Sequence, residues 1–170
     1  MIPPVVDQDW WHARRDSVVL ADVRWYLDGR SGRAAYDAGH LPGAVFVDLD
    51  RWLAAHGGPD AGRHPLPDPE VFAEGMGRLG ISDADTVLAY DDAGGVIAAR
   101  LVWMLRATGH EAALLDGGLT AYDGPRSRRR RRRRRAPCQR RRCRPAPGPA
   151  CAASQRSRST NTAPGRWPAS

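Results

Sequence analysis

Three places in this chain gather side chains able to do chemistry. The first is Asp91-Asp92-Ala93-Gly94-Gly95, two adjacent carboxylates opening a glycine-rich loop. A carboxylate there could act as an acid or base. It could equally accept hydrogen bonds from the N–H groups of the loop and of the element that follows. The second use is the better reading of Asp91 and Asp92. A metal site is weaker still, because no acidic or His partner recurs at ligand spacing. The second place is His40, inside Gly39-His40-Leu41-Pro42-Gly43-Ala44. An imidazole can exchange a proton near neutrality, but a turn histidine whose ring bonds a nearby backbone group is the preferred reading. The third is Asp22 and Arg24, which read as a charge pair at the end of a strand. The remaining histidines, His12, His56, His64 and His110, show no clustering and read as surface or loop residues. All three cysteines, Cys138, Cys143 and Cys151, fall late in the chain with C-x4-C-x7-C spacing. They lack the fourth ligand that a structural zinc site needs, and no metal or cofactor is expected.

The elements that must position these residues alternate between short apolar runs and helical patterns. Val5-Val6 is too short to assign. Asp7 caps a short helix over Gln8 to Arg15. Val18 to Ala21, ending in Asp22, suits a buried parallel strand whose polar end emerges at the carboxyl edge. Ser31 to Ala38 forms one or two helical turns, and Ala44 to Val47 a short strand. Asp50 to His56 is predicted as a helix with Asp50 as its cap, followed by a Gly- and Pro-rich loop over Gly57 to Pro67. Asp68 caps a helix through Leu79, with Pro69 at its first position, where a missing N–H costs nothing. Thr86 to Tyr90 is the strongest strand, Val96 to Thr108 a largely apolar helix, and Ala112 to Leu115 a last strand. Trp103 and Met104 on that helix are expected in the core or at a domain interface. Strands alternating with helices imply a parallel sheet covered on both faces. Function in such sheets sits at the carboxyl ends of the strands, where Asp22, Arg24, Asp48, the Asp91 to Gly95 loop and Asp116 lie.

Charge divides the chain in two. Residues 1–125 hold 10 Arg against all 19 Asp and Glu, a net of −9, whereas residues 126–170 hold 16 Arg and no acid. The high overall isoelectric point therefore belongs to the last 45 residues, and the first 125 are a poor candidate for binding nucleic acid. From Arg126 onward there is no Leu, Ile, Val, Met or Phe, and Arg128 to Arg135 is an unbroken run. Such a composition cannot bury enough apolar surface to offset the entropy of ordering. The expected organisation is a folded domain over 1–125 and a disordered Arg-, Pro- and Ala-rich tail over 126–170. The chain has no Lys, and the tail has the composition of a GC-rich gene read out of frame. A frameshift near codons 122 to 126 is the preferred explanation, with a genuine basic tail as the rival. The first 20 residues lack the pattern of a secretory signal and no segment approaches the length of a membrane span, so a cytoplasmic location is expected.

Four segments in order resemble the rhodanese family of sulfurtransferases: Leu20-Ala21-Asp22-Val23-Arg24, Gly39-His40-Leu41-Pro42-Gly43-Ala44, Ala89-Tyr90-Asp91-Asp92 leading into Arg100 to Met104, and Leu114-Leu115-Asp116-Gly117-Gly118-Leu119. The second and fourth resemble the family's two characteristic motifs. Arg63-His64-Pro65-Leu66-Pro67, with Arg100, Trp103 and Met104, is similar to the first domain of two-domain thiosulfate or 3-mercaptopyruvate sulfurtransferases. The resemblance implies a three-layer α/β fold with a central parallel sheet. It also implies that the nucleophilic Cys, which carries sulfane sulfur from donor to thiophilic acceptor, belongs to a second domain. Asp91 stands where that Cys would be, and a carboxylate cannot carry sulfane sulfur.

The resemblance therefore assigns no catalytic residue here. It gives Asp22, Arg24, His40, Asp91 and Asp92 at most supporting or domain-interface roles, with His40 facing the missing catalytic domain. The expected function is that of a sulfurtransferase-family domain inactive by itself. Two alternatives stand beside it: a Cys-less module that docks a partner, and nonspecific nucleic-acid binding through Arg128 to Arg135 by counterion release.

Overall fold

Among the described residues five strands form one parallel sheet, and the hydrophobic alternation along them decides which face each residue serves. A computed structural model describes residues 2–128. The strands are β1 (Val5–Val6), β2 (Val18–Asp22), β3 (Val45–Phe46), β4 (Thr86–Tyr90) and β5 (Ala112–Leu115), in the order β1-β5-β4-β2-β3. Every pairing is parallel, with Val18 to Asp22 opposite Thr86 to Tyr90 residue for residue. The helices are α1 (Gln8–His12), α2 (Gly32–Ala38), α3 (Pro69–Arg78) and α4 (Ala98–Ala107).

Side chains two apart on a strand share a face. Ala21, Val87, Ala89 and Ala112 accordingly join one apolar cluster, with Phe72 and Met76 of α3 and Leu101, Val102, Met104 and Leu105 of α4. Leu20, Leu88, Tyr90, Ala113 and Leu115 point the other way, into a second cluster with Trp11 of α1 and Leu41, Leu119 and Tyr122. The sheet is thus sandwiched, as its nearly continuous apolar strands require. Both edge strands have only two residues, which limits the open backbone they offer to other chains.

Several elements differ from expectation. Val5–Val6, too short to assign from sequence, is an edge strand held by Leu114 and Leu115. The α1 helix ends at His12, and Arg15–Ser17 form a separate 3-10 turn. No Asp50-capped helix forms over 50–56. Instead Leu49–Leu53 make a wide π-helical turn whose first residue follows Asp48, and the Asp48 side chain accepts from Arg51 N at 3.4 Å. Asp50 accepts the Trp25 indole N–H at 3.0 Å instead. The reason is burial: the wider turn places Leu49, Trp52 and Leu53 all in the core. Of the pair expected in the core or at a domain interface, Met104 is buried, whereas Trp103 is half exposed and so outside the core.

The change of composition at residue 126 is not where contacts cease. Ser127 and His40 exchange backbone hydrogen bonds in both directions, at 3.0 and 2.9 Å, and Arg126 donates to the Leu119 carbonyl at 3.1 Å. The expectations for the arginine run beyond Arg128 and for the three cysteines concern residues outside those described. Among the described residues no helix is long and apolar enough to cross a membrane.

Candidate functional site

At the carboxyl edge of the sheet, the ends of β2 and β4 carry polar residues that the turns behind them hold in place. Asp91, the residue after β4, is 1% exposed. Its Oδ1 accepts from Ala93 N at 2.9 Å and Gly95 N at 2.7 Å, and its Oδ2 from Ile97 N at 2.8 Å and Ala98 N at 2.9 Å. These donors are the loop amides and the first amides of α4, which have no partner within the helix. A side chain six and seven residues upstream thus caps α4, and Ile97, at the cap position, contributes no side-chain bond.

The Gly117-Gly118 turn locks the same residue from behind. Leu119 N donates to the Asp91 carbonyl at 3.0 Å. A Cβ on Gly118 would come within 2.5 Å of that oxygen, and Gly118 has a φ of +48°. Only a residue with no Cβ fits both the conformation and the approach.

Asp22 and Arg24 form a buried pair. Arg24 Nε lies 3.0 Å from Asp22 Oδ1 and Nη2 lies 2.8 Å from Oδ2, the two-pronged geometry favoured between guanidinium and carboxylate. Arg24 Nη2 also donates to the Gly39 carbonyl at 2.8 Å, tying the end of β2 to the turn that contains His40. Burial tends to lower the Arg24 pKa, but the hydrogen bond and charge of Asp22 prevail and raise it. Tyr90 completes the junction. Its hydroxyl accepts from Leu41 N at 3.0 Å. Burial first, then the adjacent Asp22 carboxylate, raise its pKa well above the ordinary phenol value.

His40 is also buried. Its Nδ1 lies 2.8 Å from the Tyr36 carbonyl, and its ring stacks on Tyr36 with centroids 3.8 Å apart and planes 11° apart. That is the turn-histidine arrangement, with the ring fixed by backbone and aromatic contacts. Asp92 turns outward, where its Oδ2 accepts the Tyr26 hydroxyl at 2.6 Å. Asp92, Tyr26, Arg24, Gly39, Arg126 and Arg128 border a shallow hollow of about 330 Å³.

The structure therefore brings Arg24 and Asp92 to one hollow, with Asp22 behind Arg24. His40 stands apart beneath α2, and Asp91 is enclosed in its loop. Sequence reasoning passed over Tyr26 and Tyr90, whose hydroxyls join these groups. Tyr90 had a visible signal: it is the polar-tipped last residue of an apolar strand that runs straight into Asp91. His64, read as a surface or loop residue, lies in a loop and also has structural contacts. It sits edge-on to Trp25 and its carbonyl accepts from Arg100 Nη2 at 2.7 Å.

Residues 7–124 match the family model of the rhodanese-like domain. The chain belongs to the rhodanese-like family. Human 3-mercaptopyruvate sulfurtransferase is 46% identical over 105 residues, spanning 59% of this chain and 34% of the relative. The mitochondrial thiosulfate/3-mercaptopyruvate sulfurtransferase 1 of Arabidopsis thaliana is 40% identical over 121 residues, 68% of this chain and 31% of the relative. Among solved structures, the 3-mercaptopyruvate sulfotransferase SseA of Escherichia coli superposes with a TM-score of 0.60 at 34% identity, covering 69% of this chain and 47% of that one. The chain thus spans about a third of the length of the curated relatives it matches.

In this rhodanese-like domain the amides that converge at the start of α4 would suit a thiolate or an anionic donor. Here their hydrogen-bonding capacity is taken up by Asp91.

Proposed function

We propose that this rhodanese-like domain is the Cys-less partner domain of a thiosulfate or 3-mercaptopyruvate sulfurtransferase and carries no sulfane sulfur itself. One observation supports this above all: both Asp91 oxygens are engaged by four backbone N–H groups in the loop where a nucleophile would sit. In the family reaction a Cys thiolate attacks the outer sulfur of thiosulfate, the S–S bond breaks and sulfite leaves. The resulting persulfide then gives its outer sulfur to cyanide or another thiophile, and the thiolate returns. Asp91 offers neither a sulfur atom nor free lone pairs, and its charge would repel an anionic donor. The domain's contribution is a carboxyl-edge face that presents Tyr26 and Asp92, with the buried Arg24 beneath them, to a second domain that supplies the Cys.

The assay is thiocyanate formation from thiosulfate and cyanide by the full chain and by its Cys138→Ser/Cys143→Ser/Cys151→Ser variant. The reading requires no turnover by the triple variant.

A stand-alone docking module is the second reading. Leu27 and Val96, 70% and 74% exposed, lie beside this edge in sequence, three residues after Arg24 and four after Asp92. Association with a separately expressed Cys-bearing rhodanese domain distinguishes the two, since a module that docks another class of protein would show none.

A further inference from the structure

Three of the ten arginines in residues 1–125 meet at one hollow that shares no lining residue with the edge just described. Arg33 comes from the first turn of α2, Arg51 from the π-helical turn, and Arg78 from the last residue of α3. Together with Asp48, Phe46 and Trp52 they line a space of about 270 Å³. In a domain with a net charge of −9, this clustering of cations is local.

Aromatic faces hold the guanidiniums. Arg51 Cζ lies 4.5 Å from the Trp52 ring centroid, Arg78 Cζ 5.9 Å from the same ring, and Arg33 Cζ 5.6 Å from the Phe46 ring. A guanidinium stacked on a ring keeps its N–H edge available to an in-plane acceptor. Arg33 spends Nε on Asp37 at 3.2 Å and Arg78 spends an Nη2 donor on Glu74 at 2.6 Å. Each guanidinium has five donors, so most remain available, and Arg51 has no carboxylate partner among the described residues.

Asp48 sets the chemistry of the occupant. Its Oδ1 takes only the long 3.4 Å contact from Arg51 N, and among the described residues its Oδ2 takes no hydrogen bond. A carboxylate among three guanidiniums accepts but does not donate. It suits an oxyanion that itself carries an O–H, and it repels one that does not. At about 30 Å³ per water, the space holds one tetrahedral oxyanion with a few waters.

We propose that this hollow binds a phosphate group, as the free ion or as a small monoester, and selects it over sulfate. The guanidiniums take the charged oxygens. The P–OH of the protonated form, which persists near neutrality, donates to Asp48. Sulfate has no proton to offer at that pH.

The arginine-rich residues beyond 128 would take up any anion, so the readout must report on this hollow alone. The indole N–H cross-peak of Trp52 in the full-length protein, assigned by Trp52→Phe, does so. Titration with inorganic phosphate at constant ionic strength should move it saturably, and Arg51→Gln or Arg78→Gln should each weaken the midpoint roughly tenfold. Sulfate should move it far less in the native protein and as far as phosphate does in Asp48→Asn. Glycerol 3-phosphate run alongside tells free ion from ester, according to which saturates at the lower concentration. The proposal fails if matched chloride moves the peak equally, if sulfate equals phosphate in the native protein, or if the arginine variants titrate unchanged.

Discussion

Arg24 grips Asp22 through two parallel hydrogen bonds, at 3.0 and 2.8 Å, where the two side chains are 5% and 0% exposed. Removing one member of such a pair leaves the other charge buried and alone, which costs far more than the pair contributes. Arg24→Ala should therefore lower the unfolding free energy by about 3–5 kcal/mol, read from urea denaturation of the full chain. The Arg24→Met/Asp22→Leu double variant should lose clearly less. A loss below about 1 kcal/mol for Arg24→Ala, the size of an exposed pair, would contradict a desolvated junction.

Two glycines should respond oppositely to the same methyl group. At Gly118 the added Cβ would meet the Asp91 carbonyl at 2.5 Å with φ at +48°, so Gly118→Ala should destabilise by roughly 1–3 kcal/mol. At Gly77, inside α3, the Cβ meets nothing within 4 Å. Gly77→Ala should stabilise by about 0.5–1 kcal/mol through helix propensity. Thermal melts of both variants check the pair, and equal shifts would contradict the close approach of Gly118 to the Asp91 carbonyl.

Tyr26 gives a signed pH dependence. Burial first, then its hydrogen bond to Asp92, raise its pKa from 10.0 to about 12. A group raised in the folded state contributes stability that is fully present below its unfolded pKa and is lost as pH rises through the folded one. Between pH 10 and 12 the denaturant midpoint should fall, and Tyr26→Phe should flatten part of that fall. Tyr90 shifts in the same direction and adds to that fall. In Asp92→Asn, phenolate absorbance should show Tyr26 ionising closer to 10.

The fold was legible wherever residue type and burial agreed. Thr86–Tyr90 and Ala112–Leu115 were expected with the limits observed, because each is a compact apolar run between turn residues. The segment at 49–53 was misjudged because three large apolar residues in five need one wide turn, which periodicity of 3.6 does not describe. At the edge, the Asp91 loop could be read as a set of amides seeking an acceptor. Which of Asp91 and Asp92 supplies it depended on the backbone path, which turns Asp91 inward and Asp92 toward Tyr26. Residue type left Trp103 between core and domain interface, and it faces outward because Leu101, Met104 and Leu105 already fill the inner stripe of its helix.

Asp91→Cys should yield at most a poor sulfurtransferase. The thiol would lose the four hydrogen bonds that Asp91 accepts as a carboxylate, and Asp92 beside it would raise the thiol pKa and repel thiosulfate. The check is thiosulfate-dependent thiocyanate formation by Asp91→Cys with the three native cysteines changed to Ser. Turnover comparable to an intact family member would show that the loop is already a competent anion cradle.

The central claim is that this domain transfers no sulfur because Asp91 occupies the place of the nucleophile. Its most direct test is thiocyanate production from thiosulfate and cyanide by the full chain carrying Cys138→Ser, Cys143→Ser and Cys151→Ser, compared with a protein-free blank. The account predicts a rate equal to the blank. Sustained turnover above it, from a chain without a single thiol, would contradict the account.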